Sequence, residues 1–425
     1  MRADQSKSLP MRAPHRLSVV GWATYDLATR IFVMSMSLYF SQWVVNDMGG
    51  TDLHWALASS LPTAVLFFSA PFLGALSDQA ARRMPFLIST TLVAVICTLL
   101  LGLGGLTLSL VLFAIGYTFF QAAMIFYDSL LPIVSTAETR GRVGGLGIGL
   151  GYLGSFIVVV VGIIVLSADP ENEPLLFRLT ALLFLIFSLP CFLFVREPAK
   201  RAAQVGLPSI AMGAARQVRA TLTNVRRYSG LPRFLLGRVF YNEAANTLSV
   251  FVAIYATNEI GFDETQTQLV SLLGITAAIL GGIGWGWLVD TVGPKRSLNA
   301  ALALWAVTLG PAALISYLYL PSWLFWPVAA VGGVALGGTW TADRPYLLRL
   351  SPPRYLGEFF GLYAMVGRLS AMVGPLLWVL ISQGMNLGRP AAIASLIVMI
   401  AVSYLILRPV SEAPRPWSVD ELRAE

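Results

Sequence analysis

The sequence predicts an all-α membrane protein of twelve transmembrane helices in two pseudo-symmetric six-helix bundles, both termini cytoplasmic. Three observations predict it: the composition, the number of apolar stretches, and the side on which the cations fall. Of 425 residues, 56% are apolar or aromatic and only 12% are charged, with a mean hydropathy of +0.71. A soluble chain carries about 25% charged residues. Twelve spans of roughly 20 residues each would occupy much of such a chain and leave no room for a large soluble domain.

A window of about 19 residues places spans near 17–46, 53–76, 86–105, 108–133, 143–166 and 176–195. A polar stretch follows, and six more spans lie near 233–257, 266–289, 297–318, 322–348, 359–382 and 389–408. The expected organisation is a cytoplasmic tail (1–16), a first bundle (17–195), a linker (196–232), a second bundle (233–408) and a second tail (409–425). Cytoplasmic loops retain Lys and Arg. The cations collect in the N-tail, the second and fourth loops (Arg82, Arg83; Arg140, Arg142), the linker, the eighth and tenth loops (Lys295, Arg296; Arg349, Arg354) and the C-tail, whereas the other side shows only Arg178 and Arg389. In the linker, Ile210, Ala214, Val218, Leu222 and Val225 recur about every fourth residue between arginines, which predicts a basic amphipathic helix on the inner leaflet.

Composition also excludes functions. The net charge of +7 is spread between greasy runs and not gathered on one polar face, so no nucleic-acid partner is expected. Cys97 and Cys191 fall inside apolar segments and the histidines are only His15 and His54, so no disulfide framework, metal site or cofactor is expected. The apolar run after the N-tail is too long and too interrupted by charge for a cleaved signal peptide.

The two halves repeat. Gly21, Tyr25 and Asp26 in span one correspond to Gly237, Tyr241 and Asn242–Glu243 in span seven. Gly74 and Asp78, followed by Arg82 and Arg83, correspond to Gly286 and Asp290, followed by Lys295 and Arg296. Tyr127–Asp128 before Arg140 and Arg142 corresponds to Asp343–Arg344 before Arg354. Three matches in one order at nearly one offset indicate duplication. In each half the glycine allows close helix approach, and the Asp and cations can bond across to helix ends as a cytoplasmic gate.

These features resemble the major facilitator superfamily, whose motif between spans two and three has the same Gly, Asp and basic order. Four longer blocks, Gly21 to Ala28, Tyr127 to Pro132 with Arg140 to Gly154, Phe240 to Thr257, and Glu358 to Pro375, resemble the branch of autophagy-related vacuolar amino-acid effluxers and their bacterial relatives. The resemblance implies a secondary transporter in which spans one, four, seven and ten line a central cavity. In this chain those spans carry Asp26, Asp128, Glu243 and Asp343.

Charged residues inside spans are expensive and so must pair, face water or lie near a helix end, as Asp128 and Asp343 are expected to do at the cytoplasmic ends of their spans. Asp26 and Arg30, four apart, are expected to share a helix face and pair. Asp343 and Arg344 project about 100° apart and each needs its own partner. Substrate or coupling candidates are Tyr25, Asp26, Arg30, Arg238, Tyr241, Asn242, Glu243 and Arg368, with Glu243 as the proton carrier and Arg30, Arg238 and Arg368 suited to grip a carboxylate. Gate candidates are Gly74, Asp78, Arg82, Arg83, Asp128, Arg140, Arg142, Asp290, Lys295, Arg296, Asp343 and Arg344. The glycines from Gly144 to Gly154 predict a smooth helix face, with Gly361, Gly367 and Gly374 as its counterpart.

The function expected is secondary active transport of a small polar solute, an amino acid or related metabolite, by a monomer of the cytoplasmic membrane, with efflux as the direction and a proton as coupling ion. A lipid flippase of the same fold and a non-transporting scaffold are the alternatives. No nucleotide-binding loop and no set of nucleophile, base and orienting group is present, so no enzyme is expected.

Overall fold

The computed structural model describes residues 15–169, 171–198, 207–223, 228 and 230–413. The expected tails up to residue 14 and from 414, and the linker cations Lys200, Arg201, Arg226 and Arg227, lie outside the described residues.

Among the described residues the chain is helical, with no strand. The helices are α1 (Arg16–Ser35), α2 (Asp52–Gln79), α3 (Met84–Leu99), α4 (Leu106–Asp128), the single turn α5 (Leu131–Val134), α6 (Arg140–Ala168) and α7 (Glu173–Phe194). After these come α8 (Leu207–Thr223), α9 (Leu231–Asn258), α10 (Glu264–Val292), α11 (Pro294–Tyr317), α12 (Phe325–Leu350), α13 (Leu356–Val379) and α14 (Gly388–Leu407). Eight of the described helices are long and apolar enough to cross a membrane by length and composition. α1 and α9 are not among the eight, because Asp26 and Arg30 interrupt one and Asn242 and Glu243 the other. α1 is also prolonged by two wide turns, Met36–Phe40 and Trp43–Asp47.

Local chemistry sets the boundaries. Asp263 accepts from the Gln266 amide while the Gln266 side chain accepts from the Asp263 amide, a reciprocal cap that starts α10. Gly293, at φ 103, turns the chain between α10 and α11 in one residue, a conformation that favours glycine. Large side chains such as Phe68, Leu193, Leu280 and Val307 stand exposed on helix flanks. That is the surface a bilayer covers.

α1 packs on α6 and α7, α2 and α3 on α4, α9 on α13 and α14, and α12 on α10 and α11. The helices before α8 meet those after it chiefly where α2 lies on α13 and α6 on α10. Both seams are built on glycine. A side chain at Gly74 would run into the Gly357 carbonyl and one at Gly357 into the Gly74 carbonyl, while Gly145 and Gly141 stand in the same way against the Gly282 and Gly286 carbonyls. Gly361 abuts the Ala70 carbonyl. Of the expected smooth faces, Gly145, Gly154 and Gly361 meet their neighbours' backbone, whereas Gly147, Gly151, Gly367 and Gly374 face side chains of Asp26, Arg30, Arg238 and Thr247.

Candidate functional site

Asp26 stands ten residues into α1, about 15 Å from its start. One of its oxygens receives Arg344 Nη1 of α12 at 3.2 Å. The same guanidinium places Nε 3.1 Å from Asp128 Oδ1 of α4, an ion pair that lacks hydrogen-bond alignment. Arg344 therefore reaches from the second half of the chain to two carboxylates of the first. Its charge lies 5.9 Å from the Trp22 ring centre and 5.8 Å from that of Tyr127. Those rings stack on each other at 4.7 Å, and Tyr25 stacks on Tyr127 at the same distance while sharing a 2.7 Å hydrogen bond with Thr91. The Tyr127 hydroxyl donates to the Trp22 carbonyl and Trp22 Nε1 to the Tyr127 carbonyl, which fixes the platform.

Asp343, beside Arg344 on α12, takes a separate set of partners, as their angular separation requires. Arg238 Nε of α9 donates to its Oδ2 at 3.1 Å, the Tyr363 hydroxyl of α13 donates to the same oxygen at 2.8 Å, and the Tyr241 hydroxyl donates to Oδ1. Arg238 lies 3.5 Å over the Tyr363 ring and donates to the Tyr363 carbonyl. Among the described residues these two buried cations are thus matched by three buried carboxylates.

A third arginine is held differently. Arg368 of α13 donates from Nε to Gln121 Oε1 at 2.8 Å and from Nη2 to the Gln121 carbonyl at 3.1 Å, while Gln121 Nε2 donates to Thr63 at 3.3 Å. Asn242 donates to the Gly367 carbonyl. Glu243 is buried with Oε1 unpartnered, as is Thr247 Oγ1, and both face Gly374, where a side chain would collide with the hydroxyl and come within 3.0 Å of the carboxylate.

At the end of the bundle where α2 and α10 finish, the two repeated aspartates cap helices across the seam. Asp78 accepts the Gly357 and Glu358 amides at the start of α13, each at 2.9 Å, and pairs with Arg83 at 2.6 Å. Asp290 accepts the Gly141 and Arg142 amides at the start of α6, at 2.6 and 3.0 Å, and pairs with Arg142 Nε at 2.9 Å. A carboxylate there meets unpaired amides and the positive end of the helix dipole.

Several expectations need correction. Asp26 does not pair with Arg30. Its oxygen is taken by Arg344, and Arg30 is half-buried with its guanidinium 5.4 Å over the Tyr152 ring. Asp128, Asp343 and Arg344, expected toward the ends of their spans, lie in the buried network. Asp128 ends α4, but the chain continues into buried Leu130, Leu131 and Val134, so the end of that helix is not the protein surface. Lys295 and Arg296 do not reach across the seam. Lys295 Nζ caps the Arg408 and Val410 carbonyls after α14, and Arg296 pairs with Glu412. Arg82 is exposed, and Arg140 Nε is buried without a partner. Gln121, Thr63, Thr247 and Tyr363 were not singled out from the sequence, since neutral side chains in apolar helices carry no charge signal.

The chain matches the model of the vacuole effluxer Atg22-like family over residues 54–413. A Bacillus subtilis MFS-type transporter, YxiO, is 25% identical over 365 residues, 83% of each chain. Autophagy-related protein 22 of Gibberella zeae is 24% identical over 259 residues, 56% of this chain and 39% of that longer protein. In structure the chain resembles the major facilitator transporter FucP in its outward conformation, with a TM-score of 0.74, 14% identity and coverage of 93% and 98%. It also resembles a bacterial homologue of the iron transporter ferroportin in an outward-facing state, with a TM-score of 0.69, 15% identity and coverage of 93% and 99%. The chain belongs to the vacuole effluxer Atg22-like family, within the major facilitator superfamily of multi-pass membrane transporters, which are not enzymes.

Proposed function

We propose that this family member is a proton-coupled secondary transporter that exports a small polar solute, an amino acid or related metabolite, from the cytoplasm by alternating access. The bundles are 17–195 and 233–408, joined by the linker 196–232, with twelve spans and both termini in the cytoplasm of a cell whose cytoplasmic membrane holds the protein as a monomer. The observation that carries the reading is Arg344, a cation of one half clasped by Asp26 and Asp128 of the other. A permanent join between halves would be apolar and interlocked. This one is ionic at Arg344, and the contacts beside it are glycine backbone, carboxylate caps and one small apolar cluster of Ile148 and Tyr152 with Ala278. Such contacts can open without unpacking either bundle.

On this reading the Asp78 and Asp290 caps close the cytoplasmic side, and the site lies above them. Glu243, with no cation beside it among the described residues, is the group that carries the proton. Reconstitution into liposomes with labelled amino acids tests the proposal. Wild type is expected to support counterflow and pH-driven flux, and Glu243→Gln to keep counterflow while losing the pH drive. A folded protein that moves none of the solutes contradicts it.

A further inference from the structure

We infer that Arg368 is the subsite for a carboxylate on the transported solute, and that Gln121 is the internal stand-in which the solute displaces. The inference rests on the transport reading above and adds the residue that recognises the solute's carboxylate.

The buried arginines are not equivalent. Arg238 is matched by Asp343, and Arg344 by Asp26 and Asp128. Arg368, at 8% exposure, has only neutral oxygens: Gln121 Oε1 on Nε and the Gln121 carbonyl on Nη2, with Nη1 buried and unpartnered. Nε and Nη2 form the edge on which a guanidinium takes a carboxylate in two parallel bonds. Two oxygens of residue 121 occupy that edge as a carboxylate would, without its charge. A tether between α4 and α13 would need neither a cation nor a spare buried nitrogen, since two amides would serve. The positive charge and the open Nη1 are what an incoming anion would use.

The arrangement also connects binding to movement. Gln121 belongs to the first half and is steadied by Thr63 of α2, whereas Arg368 belongs to the second. A solute carboxylate that takes the Nε–Nη2 edge removes one contact between halves at the moment of binding. The solute then favours the state in which α4 and α13 part, which is the differential affinity a ligand needs to shift a conformational equilibrium.

Thermal unfolding of the purified full-length protein in detergent tests this with matched probes: leucine beside leucinamide, alanine beside alaninamide, and acetate beside acetamide, at constant ionic strength. At least one acid is expected to raise Tm where its amide does not. Arg368→Gln should weaken that response on the order of tenfold or more. Gln121→Ala should strengthen it by removing the internal competitor, and Gln121→Glu should raise Tm unaided and abolish the response to acids. Where Arg368→Gln fails to fold, Gln121→Glu decides. Acid and amide acting equally, or Gln121→Glu exchanging acids as wild type does, overturns the carboxylate subsite and leaves transport standing. No response to any probe and no flux overturns both.

Discussion

Arg344 carries more of the site than any other side chain, because among the described residues it alone joins two carboxylates of the opposite half. Removing one partner of a buried ion pair costs about 3–5 kcal/mol, since the charges left behind lose their compensation. Arg344→Gln strands Asp26 and Asp128 together, so chemical unfolding should show a loss of that size. Asp128→Asn is expected to cost about 1 kcal/mol, because its contact lacks hydrogen-bond alignment and Asp26 still holds the cation. Equal losses in the two variants would contradict the assignment of Asp26 as the principal partner. At this scale the sequence shows which charges must be reconciled, and it does not show with whom. Spacing by four suggested Asp26 with Arg30. The partner came from α12, which only the tertiary arrangement brings near. Gln121 and Tyr363 complete the coordination with neutral groups, which resemble any other polar residue in a greasy helix.

Among the elements, the two aspartate caps are the repeat made visible. Asp78 and Asp290 each close a helix of the opposite half, and each lies next to a glycine crossing that admits no side chain. Gly74→Ala sets a methyl group against the Gly357 carbonyl. It should hold the seam between α2 and α13 open, lower transport by about tenfold or more, and leave unfolding of the separate bundles little changed. Asp290→Asn keeps the shape but removes the charge and sets an NH2 donor against one of the two amides at the start of α6, for an expected loss of about 1–2 kcal/mol from the closed form. Protection of the Gly141 and Arg142 amides against hydrogen exchange reads that change directly, and unaltered protection would count against the cap. Helix positions were legible because each long apolar run leaves few alternatives, and the caps because Gly and Asp recur at one spacing. Lys295 and Arg296 were misread because a cation after a helix serves the nearest bare carbonyls as readily as a distant carboxylate, and here those belong to the end of α14.

Across the whole molecule, the contacts between halves among the described residues include two glycine seams, two carboxylate caps, the Arg368–Gln121 contact, one ionic clasp and a small apolar cluster of Ile148 and Tyr152 with Ala278. On the transport reading this set opens as a unit when solute binds. Electron–electron distance measurements on two cysteine pairs test it most directly. One pair, Ala81→Cys with Thr291→Cys, marks the capped end, and the other, Leu103→Cys with Tyr319→Cys, marks the opposite end; all four positions are exposed. The native Cys97 and Cys191 are buried and stay in place. A transported solute is expected to widen the first pair while narrowing the second, and Asp78→Asn with Asp290→Asn to do the same without solute. Two distances that stay fixed with solute bound, or that widen together, would contradict it.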